Sequence, residues 1–95
     1  MTNTQTKTFK VFIGSNNDTK QLEARKIKAI TSKHFDGFTF FRAVGFWKGE
    51  AEKTAVIEIS NQAESKIKAY AEEIKDKLKQ EAVLIQAFTT ESKLI

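Results

Sequence analysis

The sequence contains no cysteine and no proline among its 95 residues. Without cysteine there can be no disulfide framework, no thiolate metal site and no thiol nucleophile, and the chain suits a reducing compartment. We therefore expect a cytoplasmic location. Because proline is absent, no rigid linker divides the chain. No run approaches the ~20 apolar residues that a membrane-spanning helix needs, and the polar first eight residues do not form a signal peptide, so we expect no membrane segment.

The excess of basic over acidic residues is also small: the chain has 16 basic and 12 acidic residues and a net charge of +4. A nucleic-acid-binding module concentrates basic residues on one face, whereas the lysines here are spread along the chain, so nucleic acid is not an expected partner. Hydrophobic residues make up 40% of the chain and charged residues 29%, which is typical of a globular protein. We predict a flexible N-terminal tail over residues 1–7 and a single α+β domain over residues 8–95.

The apolar periodicity predicts six elements of secondary structure. Asp18 with Gln21, and Asn61 with Glu64, have the spacing of helix capping boxes. Gly49 suits a hairpin turn because it tolerates positive φ. The predicted elements are strand 8–14, helix 19–33, strand 38–47, strand 53–60, helix 62–80 and strand 82–89.

This order predicts a ferredoxin-like βαββαβ sandwich, in which two helices cover one face of a four-stranded antiparallel sheet. The other face is left open. The residues expected to point there are apolar, namely Phe12, Phe41, Val56, Leu84 and Phe88. An exposed apolar surface of that size is unusual for a monomer, so we predict a homo-oligomer that packs through the sheet face or a sheet edge.

The predicted topology also brings polar and aromatic residues to one end of the sheet. The loop after the first strand, the hairpin turn and the link around Gln80 should meet there, beside the N-terminus of the first helix, where unpaired N–H groups attract anions. Trp47 offers a face for stacking, and the amides and cations nearby suit a nucleotide-like ligand. The candidate ligand-binding residues are Ser15, Asn16, Asn17, Arg42, Trp47, Lys48 and Glu50.

Other roles remain open for these residues. The alternative role of the Ser-Asn-Asn-Asp segment is turn and cap. For Trp47 it is packing, and for Arg42 it is that of an interface or surface residue. His34 has no partner at metal-ligand spacing, which favours a structural role. No catalytic triad or glycine-rich phosphate loop is present, so we expect a non-enzymatic protein without cofactor or metal. The alternatives are a small enzyme using Glu50 or Glu52 as acid or base, and an interaction module that docks through the apolar sheet face.

Several segments carry a resemblance to known families. They are Gly14-Ser15-Asn16-Asn17, residues 34–39 (HFDGFT), residues 45–50 (GFWKGE) followed by Glu52, and residues 80–83 (QEAV). The pattern resembles a bacterial family of unknown function with a ferredoxin-like shape, and small phage proteins that counter Thoeris defence. The second resemblance implies that the chain sequesters a cyclic ADP-ribose-type signal without turnover. It also implies a symmetric oligomer with pockets near subunit interfaces.

Overall fold

The computed structural model describes residues 4–95, with side chains from residue 7 onward. Both helices pack on one face of a single sheet, in which every pair of neighbouring strands is antiparallel and the strand order is β2-β3-β1-β4. This is the predicted ferredoxin-like arrangement. None of the helices in residues 4–95 has the length and apolarity needed to cross a membrane. The elements are β1 (Thr4–Ile13), α1 (Ala24–His34), β2 (Thr39–Trp47), β3 (Glu50–Ser60), α2 (Glu64–Lys77) and β4 (Leu84–Ser92).

The core lies between the helices and one face of the central strands. Phe9, Val11 and Ile13 alternate along β1, and each is at most 1% exposed. Alternate residues of a strand share a face, so the three side chains point toward the helices together. Burial of each contributes roughly 1.5–3 kcal/mol. The other core residues that are at most 1% exposed are Ala55, Ile57, Ile59, Ile27, Ile67, Tyr70, Ile74 and Leu78.

The open face of the sheet agrees with the sequence expectation. Phe12 pairs with both Leu84 and Val56, and Val56 pairs with Phe41, so one apolar row crosses all four strands. Phe41 and Leu84 are 40% and 56% exposed, while Val56 is buried beneath its neighbours. Phe88 lies on the same face farther along β4. The row gives the chain an apolar surface that no helix covers.

The start of the first strand differs from the prediction. Residues 4–7, which were expected in the flexible tail, belong to β1, and Thr4 pairs with Ser92 of β4. Strand pairing uses backbone groups, so polar side chains did not prevent it. The remainder of the predicted tail, residues 1–3, lies outside the described residues.

The helix starts also differ. The predicted capping box at Asp18 is wrong, because the Oδ1 atom of Asn16 accepts the N–H groups of Asp18 and Thr19 at 2.8 and 3.2 Å. An asparagine that bonds the following backbone stabilises a turn in place of a helix. Helix α1 therefore begins only at Ala24, and α2 begins at Glu64 without a side-chain cap from the other predicted capping box.

Candidate functional site

The β2–β3 hairpin extends beyond the end of β1. Ile13 at the end of β1 pairs with Ala55, whereas the hairpin turn lies at Lys48 and Gly49. At ~3.4 Å per residue, the tip reaches roughly 17 Å past that pair. Both turn residues have positive φ, 52° and 80°, the combination that a tight hairpin turn requires. We call residues 44–53 the hairpin arm.

The end of β1 is bound to the base of the arm. The Ser15 N–H donates to Oε2 of Glu52 at 3.2 Å, and the Ser15 hydroxyl donates to the Lys53 carbonyl at 3.1 Å. A side-chain methyl at Gly14 would lie 2.7 Å from the Glu52 carboxylate. Only glycine leaves the room for that carboxylate to rest over the strand end.

Gln80 binds the same strand end from the other side. Its Oε1 atom accepts the Gly14 N–H at 3.2 Å, and its Nε2 atom donates to the carbonyls of Gly14 and Ser15 at 3.2 and 2.8 Å. The side-chain amide thus replaces the strand partner that Gly14 lacks. The predicted meeting of the β1 loop with the link after α2 is confirmed here.

The amide groups of the loop are used differently from the prediction. Asn16 is 8% exposed, and its Nδ2 atom donates to Glu23 at 2.7 Å while its Oδ1 atom holds the turn. Asn17 is exposed, and its backbone N–H donates to the Lys79 carbonyl. Helix α1 begins at Ala24, with Glu23 as its N-cap residue, and not directly after Asn17 as expected. Anion binding by Asn16 and Asn17 stays a prediction.

Small residues form the floor of the open face at the base of the arm. Ala43 pairs with Thr54 and Gly45 pairs with Glu52, and these four residues share the face of Phe41. The Thr54 hydroxyl lies 2.8 Å from the position that a Cβ would take at Gly45, so a side chain at this position would clash with Thr54. We call the region between Phe41 and Trp47 the open-face trough; it comprises Gly14, Ala43, Gly45, Glu52 and Thr54.

Trp47 stands at the outer end of this trough. It is 64% exposed and pairs with Glu50 on the same sheet face. The Lys48 ammonium lies 5.8 Å from the centre of its ring. An indole this exposed does not serve the packing of its own chain, so its face is accessible to a ligand or a partner.

Arg42 is separated from these residues by the sheet. It pairs with Ala55 on the helix face, and its guanidinium lies 6.0 Å from the Phe40 ring. The structure thus divides the predicted site residues into three groups: Ser15, Asn16 and Asn17 beside Gln80; Trp47, Lys48 and Glu50 at the arm tip; and Arg42 alone on the opposite face. Glu52, which the prediction considered only for catalysis, joins the first two groups.

A second polar cluster connects the two helices. Glu73 on α2 accepts hydrogen bonds from Lys77 at 2.8 Å and Lys33 at 3.1 Å, and lies 2.7 Å from the His34 ring. Lys77 first, then His34 and Lys33, lower the pKa of Glu73 to about 2. Within residues 4–95, no group of histidine and acidic side chains could hold a metal ion. Through the contacts of Glu73 with Lys33 and His34, the cluster links α1 to α2.

Sequence comparison identifies no relative: no protein-family model matches the chain, and neither does any curated protein. Solved structures do match. A phage SAM lyase in the apo state has a TM-score of 0.72 at 20% identity, covering 90% of this chain and 81% of that one. A phage SAM lyase in complex with S-methyl-5'-thioadenosine has a TM-score of 0.69 at 16% identity, covering 94% and 90%.

A third match is CPII, a nitrogen regulatory PII-like protein from Thiomonas intermedia K12, bound to ADP, AMP and bicarbonate. Its TM-score is 0.63 at 7% identity, and the match covers 99% of each chain. All three identities are low, so the likeness concerns the backbone arrangement. The chain shares its ferredoxin-like fold with the phage SAM lyase and the PII-like protein.

Proposed function

We propose that the protein is a homo-oligomer that binds a small adenosine-containing molecule at the open-face trough. The observation that carries this proposal is the placement of an exposed indole, Trp47, and a hydrogen-bonded carboxylate, Glu52, on one sheet face, where glycine (Gly45) is the cross-strand partner of Glu52. Two structural neighbours support the ligand class, since one is bound to S-methyl-5'-thioadenosine and another to ADP and AMP.

The chemistry of the trough suits a nucleoside. The face of Trp47 can stack on a purine, and Phe41 extends the apolar wall on the other side. The Glu52 carboxylate accepts hydrogen bonds, which matches the donor hydroxyls of a ribose. Because the Ser15 N–H already orients one of its oxygens, the carboxylate is positioned before a ligand arrives.

Two carboxylates on the face of the trough favour a cationic ligand over a phosphate, against one cation, the Lys48 ammonium, beside Trp47. Glu50 and Glu52 lie on the same face, and Glu23 occupies the start of α1 where a phosphate was expected. Carboxylates repel phosphate oxygens and attract a sulfonium centre. SAM carries such a centre on an adenosine, so we expect it to bind more tightly than a phosphate-bearing nucleotide.

Two functions are compatible with such binding. The sequence resemblance to phage anti-Thoeris proteins favours sequestration of a nucleotide-derived immune signal of the cyclic ADP-ribose type, without turnover. The backbone likeness to a phage SAM lyase favours cleavage of the C–S bond between the sulfonium and the four-carbon amino-acid chain of SAM. The carboxylate of the substrate itself displaces the sulfur, so S-methyl-5'-thioadenosine leaves with the electron pair of that bond and the chain closes to a lactone. In the second case the Glu52 carboxylate is placed to attract the sulfonium centre of SAM.

Calorimetric titration of the protein with SAM, S-methyl-5'-thioadenosine and cyclic ADP-ribose tests the binding proposal. We expect Trp47→Ala to weaken binding by roughly ten- to a hundredfold, because base stacking on an aromatic contributes about 1–3 kcal/mol. Its melting temperature should stay near that of the unaltered protein, since Trp47 is exposed. Phe88→Ala, at the far end of the open face, is the control. The proposal fails if none of the three molecules binds, or if Trp47→Ala binds as tightly as the control.

Mass spectrometry of the ligand after denaturation of the protein separates the two functions. Recovery of intact SAM or cyclic ADP-ribose indicates sequestration. Accumulation of S-methyl-5'-thioadenosine from SAM indicates a lyase, and its rate should then collapse in Glu52→Gln.

A further inference from the structure

Among the described residues, each of the two outer strands of the sheet has one neighbouring strand. β2 and β4 end the strand order β2-β3-β1-β4, and each is nine residues long. A long free edge presents unpaired N–H and C=O groups, and it is a template for pairing with another strand. The side chains along these two edges indicate which strand each would accept.

The helix face of β2 carries an apolar pair that its own chain leaves uncovered. Val44 and Phe46 point to this face, because they pair with Lys53 and Ala51 in the same register that places Phe40 against Ile57 of the core. Val44 is 65% exposed and Phe46 is 75% exposed. Two neighbouring exposed apolar side chains on one strand form a patch, and such patches mark contact sites more often than single exposed residues do.

A complementary groove of about 320 Å³ opens beside β4, on the same helix side of the sheet. Its apolar lining includes Phe9 and Ile67, each 1% exposed, together with Ile85 and Ala87 of the edge strand. Glu64, in the first turn of α2, and Lys68, one turn later, also line it. The groove therefore combines an apolar floor, an outer strand and two charged side chains of opposite sign, of which Glu64 is the nearer to the start of α2.

We infer that β2 of one copy of this chain pairs antiparallel with β4 of a second copy. A register that sets Val44 beside Ala87 places Phe46 beside Ile85, since alternate residues share a face. The same register carries Arg42 toward the start of α2, where Glu64 supplies the opposite charge. The contact gives Arg42, which strand register directs away from Trp47, a partner of opposite charge.

The contact joins different surfaces of the two copies. Such a head-to-tail interface leaves one free β2 and one free β4 in every open assembly, and it is completed when the copies close into a ring. The inference specifies how copies of the chain contact each other in the proposed homo-oligomer, and it does not depend on which ligand binds. The two proposals can therefore fail separately.

Engineered cysteines test the register, because the chain has no cysteine of its own. Directly paired strand residues lie ~4.5–5.5 Å apart, within the range of a disulfide. On mild oxidation, a mixture of the single variants Val44→Cys and Ala87→Cys should give a covalent dimer of one copy of each. The matched control replaces Ala87→Cys by Gln86→Cys, which points to the other sheet face and should not cross-link.

Charge reversal provides the second measurement. In sedimentation velocity, Arg42→Glu or Glu64→Arg alone should shift the protein toward monomer, and the double variant should restore the assembly. The inference is overturned if the Val44–Ala87 mixture cross-links no better than the control mixture, or if both single reversals leave the sedimentation coefficient unchanged. Cross-linking that persists in Trp47→Ala, while ligand binding is lost, would separate the assembly from the trough.

Discussion

At the scale of single residues, the end of β1 depends on side chains that act in place of backbone partners. Gly14 has no strand neighbour on the side of β4, and the Gln80 amide both accepts its N–H and donates to its carbonyl. On the other side, Glu52 and Ser15 bind each other across the same strand end. The loop that leads into the trough is thus fixed by a few hydrogen bonds.

We predict that Gln80→Ala lowers the free energy of unfolding by about 1–3 kcal/mol, because it leaves partly buried backbone groups of Gly14 and Ser15 unpaired. Urea denaturation followed by circular dichroism measures the change. Gln86→Ala is the control, since Gln86 is exposed on β4 and its replacement should change stability by less than about 0.5 kcal/mol. Equal stability of the two variants would mean that water replaces the Gln80 amide at no cost.

At the scale of the elements, the two helices are joined through a buried contact and a charged contact. The Thr31 and Tyr70 hydroxyls lie 2.7 Å apart in the core, and burial raises the pKa of Tyr70 to about 12. Nearer the surface, Glu73 joins Lys33 and His34 of α1 to Lys77 of its own helix. The charged contact makes the packing of α1 on α2 sensitive to acid.

The pH dependence of this contact follows from the pKa of Glu73, which is lowered from 4.5 to about 2 in the folded protein. Folding favours the ionised carboxylate, so its contribution is fully present above pH 4.5 and is lost as the pH falls toward 2. We predict that the melting temperature falls more gently over this range in Glu73→Gln than in the unaltered protein. Glu72→Gln, an exposed neighbour, is the control and should keep the steeper fall. Parallel curves for all three proteins would contradict the assigned pKa.

At the scale of the whole molecule, the chain is elongated, with extents of 45 × 27 × 21 Å. The hairpin arm accounts for part of this shape, and apolar residues lie exposed on both of its faces, Phe46 on one and Trp47 on the other. A surface apolar on both sides suits contact with a second molecule on at least one of them.

We predict that the melting temperature rises with protein concentration, because unfolding is then coupled to dissociation of the assembly. Differential scanning calorimetry over a hundredfold concentration range measures the effect. Phe46→Glu should abolish the dependence by placing a charge in the apolar contact, whereas Lys20→Glu, in the exposed loop after β1, should leave it intact. A melting temperature that is independent of concentration in the unaltered protein would indicate a monomer.

The sequence alone determined the order of the elements and which residues face the core. Alternation in residues 8–14 and the turn residues Lys48-Gly49 depend on local backbone preferences, so they can be predicted without the rest of the chain. The start of α1 could not be predicted in this way, because the side chain of Asn16 could form either a helix cap or a turn. In the structure the Asn16 side chain forms the turn, and its Nδ2 atom also donates to Glu23.

The candidate site was decided by the tertiary structure. The sequence indicated Trp47 and Glu50 but could not place Glu52 over Gly14, since that contact depends on how far β3 extends past β1. It also placed Arg42 in the same site, although strand register sends its side chain to the opposite face. Register and strand offset arise from pairing between distant segments, and a shift of one residue would exchange the faces. Composition and periodicity therefore determined the fold, and long-range strand pairing determined which residues share a surface.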